Sequence, residues 1–170
     1  MPGNKPIEFS RLNESNIQNL TLTIYFTEPF STFKIPPKTV HQLITYYVPE
    51  NEVIVIKSDE LCKHIDLLKQ IDSVCLKPVE EKKELHLRIY YEFLDSKTKR
   101  RYSVSMWSQQ GSMGVNGVEV HEEELFYNVI LPFLAENQAQ ELEMFIGRKP
   151  IEVLEVPVDP ENLWQGYTKE

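Results

Sequence analysis

Alternation of apolar and polar side chains over residues 85–107 constrains the fold of this chain more than any other feature. In ELHLRIYYEFL the side chains predicted to face a core are Leu85, Leu87, Ile89, Tyr91 and Phe93. Those predicted on the opposite face are His86, Arg88, Tyr90 and Glu92. The segment RRYSVSMW repeats the pattern after the polar turn DSKTK, so the two segments are predicted to form an antiparallel hairpin.

The next segment, WSQQGSMGVNGV, contains three of the six glycines of the chain, at positions 111, 114 and 117. The pair Asn116-Gly117 is typical of a tight hairpin turn, because both residues tolerate positive φ. We therefore interpret the glycines as turns of a meander with return strands at Ser112–Val115 and Val118–His121. A phosphate-binding loop is not indicated, because the spacing matches neither nucleotide-binding glycine motif. The hydrolase motif G-x-S-x-G fails around Ser112, since Gln110 occupies its first glycine position.

The remaining elements are predicted from periodicity and capping residues. Further strands are expected at Leu20–Phe26, Gln42–Val48, Glu52–Lys57 and Ile151–Val156. Three helices are expected. The first spans Asp59–Asp72, with Ser58 or Asp59 as its N-cap. The second runs to Pro132 from a first turn that contains Glu122, Glu123 and Glu124, and the third spans Gln138–Ile146 after an Asn137 cap.

Together these elements predict an α+β fold, an antiparallel meander sheet with two or three helices packed on one face. At 170 residues the chain suits a single domain over residues 1–170. We expect an irregular N-terminal arm at 1–19 and a C-terminal tail at 157–170 that docks through Trp164.

Charge is distributed unevenly along the sequence, whose formal net charge is −8. Residues 102–147 contain seven glutamates and no lysine or arginine, while the rest of the chain is close to neutral. A concentrated negative charge favours a basic partner. The candidate partner-binding residues are Glu119, Glu122, Glu123, Glu124, Trp107 and Tyr90. The alternative is an acidic face that serves only solubility.

Other kinds of site receive little support from the sequence. We predict no catalytic residue, no cofactor and no metal site. A metal site is not indicated at Cys62 and His64, because these residues lie two positions apart on a helix and point in different directions. The basic run Lys97–Arg101 is interpreted as a solvated turn, and a pI of about 5.1 opposes nucleic-acid binding. Cys62 and Cys75 are interpreted as buried thiols rather than a disulfide.

Three functional hypotheses follow from these observations. The first is a non-catalytic interaction protein that binds a basic partner, in the manner of a small acidic bacterial immunity protein that neutralises a nuclease toxin. That comparison rests on size and charge alone. The second is an exported cell-envelope domain that binds a ligand or partner, and the third is an enzyme of an unrecognised class. Without a long apolar run or an apolar leader, we expect no membrane insertion and a cytoplasmic location, with a periplasmic or envelope location as the alternative.

Overall fold

A computed structural model describes residues 7–8, 17–30, 33–82 and 86–147. The strands in these residues are β1 (Ile7–Glu8), β2 (Leu20–Phe26), β3 (Ile54–Ile56), β4 (Cys75–Leu76), β5 (Leu87–Asp95), β6 (Arg101–Trp107), β7 (Ser112–Val115) and β8 (Val118–His121). The α-helices are α1 (Val40–Gln42), α2 (Ser58–Cys62), α3 (Ile65–Lys69), α4 (Leu125–Ile130) and α5 (Glu136–Gly147). Short 3₁₀ turns lie at Ile17–Asn19, Glu50–Glu52, Gln70–Ser73 and Leu131–Phe133, and a π-helical turn lies at Leu43–Tyr47.

Six of the strands form one antiparallel sheet in the order β3-β2-β5-β6-β7-β8, and β1 pairs separately with β4. The predicted hairpin is confirmed as the pair β5-β6, and the predicted return strands are β7 and β8 with the expected bounds. Residues 77–79 continue the pairing beyond β8 through a bridge between Pro78 and Val120. The α+β fold class predicted from the sequence is therefore confirmed.

Two of the three glycines are turn residues, as predicted. Gly117 has φ +79° next to Asn116 at φ 49°, and Gly111 has φ +117°. Asn116 also accepts a hydrogen bond of 2.9 Å at its side-chain oxygen from the backbone of Ser103, which ties the turn to β6. Gly114 is the exception, since it lies within β7 rather than in a turn.

The main core lies between one face of the sheet and helices α2 to α5. Along β2 and β6 every second side chain is buried, which is the period expected of a sheet with one face in a core. At the centre, the hydroxyl of Tyr91 donates a hydrogen bond of 2.8 Å to the backbone oxygen of Phe126 in α4. Leu61, Leu68, Leu142 and Phe145 contribute the apolar sides of the other helices.

The strand predicted at Gln42–Val48 is wrong, because this segment forms α1 and the π-helical turn that follows it. Thr39 caps the helix by accepting a hydrogen bond of 3.1 Å from the backbone of Gln42, whose side chain accepts in return from the backbone of Thr39. The apolar residues suit a helix as well as a strand, and the cap decides between them. Tyr46, which lies in this π-helical turn, is 74% exposed.

The face predicted for Leu87 is also wrong. The pairing of β5 with β6 shifts between Leu87 and Ile89, so Arg88 lies at a β-bulge. Because a bulge adds one residue to a strand, it reverses the faces on either side of it. Leu87 consequently packs with Leu43 and Val48 on the side of the sheet opposite the main core.

Three helix boundaries differ from the prediction. The single helix expected at Asp59–Asp72 is divided, since His64 has φ −119° and ψ 26° between α2 and α3, and α2 is capped at Lys57 without a side-chain bond. Glu124 is the N-cap of α4, so the three glutamates precede its first turn instead of occupying it. The cap predicted at Asn137 lies inside α5, whose start is held by a 3.0 Å hydrogen bond from the backbone of Ala135 to the Gln138 side chain.

Several predictions fall outside the described residues. They concern the strand at Ile151–Val156, the tail at 157–170 with Trp164, Leu85, and the arm at 1–19 except for β1 and the turn at Ile17–Asn19. Within the described residues, no helix is long and apolar enough to cross a membrane.

Candidate functional site

The sheet has a second face, opposite the main core, and this face carries three of the six predicted site residues. Side chains on it include Tyr25, Tyr90 and Trp107, which alternate along their strands with buried core residues. One end of this second face is covered by α1 and the π-helical turn, through the small apolar cluster of Leu43, Val48 and Leu87. The three aromatic side chains pack against that cluster while remaining partly accessible.

One cross-strand row runs over the second face from an aromatic end to an acidic end. Its members face each other in successive strands and are Tyr25, Tyr90, Ser105, Gly114 and Glu119. Since neighbouring strands lie about 4.8 Å apart, Tyr90 and Glu119 are separated by about 14 Å across the small residues Ser105 and Gly114. The row therefore forms a floor of small residues between tyrosine rings and a carboxylate.

Trp107 lies beside this floor and depends on Gly114 for its place. A Cβ atom added to Gly114 would lie 3.4 Å from Cη2 of Trp107 and 3.2 Å from Cβ of Ser105. The glycine thus provides the room in which the indole ring lies against β7. The indole Nε1 atom is buried and has no hydrogen-bond partner among the described residues.

The tyrosines at the aromatic end are ordered by contacts with each other and with Glu92. The rings of Tyr25 and Tyr90 stack with centroids 5.9 Å apart, and the Tyr90 hydroxyl donates a hydrogen bond of 2.9 Å to Oε2 of Glu92. Burial, followed by the hydrogen bond to Glu92 and its charge, raises the pKa of Tyr90 to about 12. Burial and then the charge of Glu92 also raise the pKa of Tyr25. Both phenols are neutral hydrogen-bonding groups at physiological pH, as a phenol with its ordinary pKa near 10 already is.

Glu119 is held in place at the acidic end of the row. Its Oε1 atom accepts a hydrogen bond of 2.7 Å from the hydroxyl of Ser112, which is buried. This bond orients the carboxylate of Glu119 on the second face.

The other three glutamates among the predicted site residues do not lie on the second face. Glu122 follows β8 and is tied down, because its Oε2 atom accepts a hydrogen bond of 2.6 Å from the backbone of Gly111. It lies near Tyr127 on the helix side of the sheet, where burial and then Glu122 raise the pKa of that phenol. Glu123 and Glu124 lead into α4 on that same side. The structure thus places Tyr90, Trp107 and Glu119 on the same face of the sheet, with Tyr90 and Glu119 about 14 Å apart, and separates them from Glu122, Glu123 and Glu124.

Basic residues from other parts of the chain approach the acidic segment. Residues 77–79 run alongside β8, and the backbone of His121 donates a hydrogen bond of 2.9 Å to the carbonyl of Lys77. At the aromatic end of the row, outside the acidic segment, the guanidinium of Arg101 lies 3.7 Å from Oε2 of Glu92. A segment of sequence that contains no lysine or arginine can therefore have basic residues from other segments beside it in the folded protein.

Sequence reasoning missed Tyr25, Ser105 and Gly114 as members of the row. The alternation in β2 places Tyr25 on the polar side of its strand, and a glycine inside a strand signals the close approach of another group. Both signals were present in the sequence, but the register that aligns them was not.

Among the described residues, no group of three or more His, Cys, Asp or Glu side chains is placed to hold a metal ion. Cys62 and Cys75 are free and exposed, so the prediction that they are buried is wrong.

Comparison with known proteins gives no relative on which to base a function. No family model matches the chain, and neither does any curated protein or solved structure.

Proposed function

We propose that this protein is a non-catalytic interaction module that binds a basic partner, and that the second face of its sheet is where the partner binds. One observation carries the proposal: the register aligns Tyr90, two small residues and Glu119 in a single row next to Trp107. A small protein that binds and neutralises a basic toxin, as an immunity protein does, would be one example of such a module.

The chemistry of the row suits a lysine or arginine side chain. The faces of tryptophan and tyrosine rings attract cations, by about 0.5–2 kcal/mol per contact depending on desolvation. At the other end of the row, the carboxylate of Glu119 can supply a charge-assisted hydrogen bond to a second basic side chain of the partner, and such a bond is roughly twice as strong as a neutral one. Because the Trp107 ring already lies against Gly114, the aliphatic stem of a bound lysine or arginine would pack on the indole ring.

Glu119→Gln is the first test of this proposal. The amide oxygen of glutamine can still accept the Ser112 hydrogen bond, so the fold is retained while the charge is removed. With a blocked arginine-rich peptide as the probe, we expect the dissociation constant to rise about three- to tenfold. Shifts of the Trp107 indole N–H signal in NMR spectra report binding at this face.

Glu143→Gln is the matched control, because it removes the same charge from an exposed position on α5. Binding should be unchanged in this variant. Equal losses in both variants would mean that only net charge matters, in agreement with the solubility alternative. A probe that leaves the Trp107 signal unmoved would contradict the proposal outright.

A further inference from the structure

We propose a second binding surface, a groove along the edge strand β3 that takes an extended basic peptide as an added strand. The groove consists of two adjoining clefts of about 640 Å³ and about 440 Å³. Val53 and Ile54 line the first cleft, Val55 and Ile56 line the second, and Phe133 lines both. None of the five residues of the row lines the groove, although Tyr47 and Val53 of the larger cleft pack against the same apolar cluster as Tyr25, Tyr90 and Trp107.

Strand β3 has the properties of an edge that can accept a partner. Among the described strands it pairs only with β2, through Ile54, Val55 and Ile56. Alternate backbone N–H and C=O groups of an edge strand point away from the sheet and can pair with another chain. Val55, at its centre, is 54% exposed. The centre of the strand is therefore not covered by the described residues.

The walls of the groove offer apolar contacts for alternate side chains. Phe26, Phe33, Tyr47 and Phe133 line the larger cleft. Added strands gain affinity from main-chain hydrogen bonds and specificity from pockets for every second side chain. Apolar residues at every second position of a peptide match this arrangement.

The charge of the groove selects for a basic occupant. Among the described residues, the larger cleft is lined by two carboxylates, those of Glu28 and Glu52, and by no lysine, arginine or histidine. Glu141 adds a third carboxylate near Glu28: burial raises its pKa, and the charge of Glu28 raises it further. In the smaller cleft Asp59 and Glu60 accompany Lys57, and Glu60 also pairs with Lys63 at 2.8 Å. The excess of negative charge favours lysine or arginine side chains over acidic ones.

Two other occupants fit this charge less well. A second copy of the chain pairing through β3 would bring Glu28 and Glu52 of both copies toward each other. The segment IEVLEV at 151–156 carries two glutamates and no basic residue. An external cationic peptide is the occupant that the groove complements.

Binding is tested with the full chain and a short blocked peptide that alternates lysine and valine. We expect its addition to shift the backbone amide signals of Ile54, Val55 and Ile56 in NMR spectra. The double variant Glu28→Gln/Glu52→Gln should raise the dissociation constant about tenfold. Glu123→Gln/Glu124→Gln is the matched control, with two charges removed from the other end of the molecule, and should leave it unchanged.

Peptide chemistry tests strand addition without altering the protein. Two N-methylated versions of the peptide are compared, one methylated on the lysine amides and the other on the valine amides. Because only alternate amides of an added strand point at its neighbour, one version should lose binding and the other should keep it. Equal affinity of both versions would show that the peptide does not pair with β3.

Other results would also overturn the inference. A glutamate–valine peptide that binds as well as the lysine peptide would refute charge selection. If the free chain self-associates and Val55→Lys abolishes that association, the edge strand β3 binds a second copy of the chain instead of a peptide. The two proposals remain separable, since Glu119→Gln should not affect peptide binding at β3. Conversely, Glu28→Gln/Glu52→Gln should not affect the arginine-rich probe at Trp107.

Discussion

Gly114 shows how one residue determines the surface next to it. Its backbone does not have positive φ, unlike that of Gly111 and Gly117, so the turn argument does not apply to it. What favours a glycine is contact, because an added Cβ atom would lie 3.2 Å from Cβ of Ser105 and 3.4 Å from the Trp107 ring. The position of the Trp107 ring on the second face therefore depends on a missing side chain in the adjacent strand.

Gly114→Ala should destabilise the protein by about 1–3 kcal/mol, the usual range for overpacking a tight contact. Urea denaturation measures this loss, and Gly147→Ala is the control, since its added methyl group meets no atom of the described residues within 4 Å. A Ser105→Gly background should reduce the cost of the alanine, because it removes the closest contact. An equal cost in both backgrounds would contradict the packing argument.

At the scale of elements, a bulge and a capped helix together build the covered end of the second face. The bulge at Arg88 turns Leu87 away from the main core, and the Thr39 cap starts the helical segment that meets it. Leu43 is completely buried in the contact, whereas Tyr46 on the same turn is 74% exposed. Tyr25, Tyr90 and Trp107 pack against this small cluster, so the aromatic end of the row depends on it.

Leu43→Ala should lower the free energy of unfolding by about 2–5 kcal/mol, as expected for a leucine removed from a packed site. Tyr46→Ala, three residues further along the same turn, should change it by less than about 0.5 kcal/mol. Thermal or urea unfolding of both variants measures the difference. If the two variants lose the same stability, the segment does not pack on the sheet as described.

At the scale of the whole molecule, buried phenols link stability to pH. Burial is the largest cause of a raised pKa at Tyr90, Tyr91 and Tyr127. Phenols in the unfolded chain titrate near pH 10. Above that pH the unfolded state loses protons that the native state keeps, and the free energy of unfolding must fall as pH rises.

Urea denaturation between about pH 8 and pH 11 should therefore show stability that is constant at first and decreases from about pH 10 upward. Tyr90→Phe should make the decrease shallower, since it removes one of the groups whose pKa is raised. Stability that stays constant to pH 11 would show that these phenols titrate alike in both states.

Much of the sheet could be predicted because its signals are local. The bounds of β2, β7 and β8, and the turn at Asn116-Gly117, follow from strand periodicity and from positive φ within a few residues. The helical segment after Thr39 could not be assigned from periodicity, since its tyrosines and aliphatic residues also fit a strand. The break at His64 and the bulge at Arg88 have no local signal of comparable strength.

The sequence by itself determined the fold class and the existence of the meander, because a period of two and a glycine turn act through neighbouring residues. It also determined that a long segment carries only negative charge. Tertiary structure decided which of these charges act together: register joins Glu119 to Tyr90 and Trp107, and the chain direction after β8 takes Glu123 and Glu124 to the other side. Pairing between strands far apart in sequence sets that register, and no single segment of the sequence contains it.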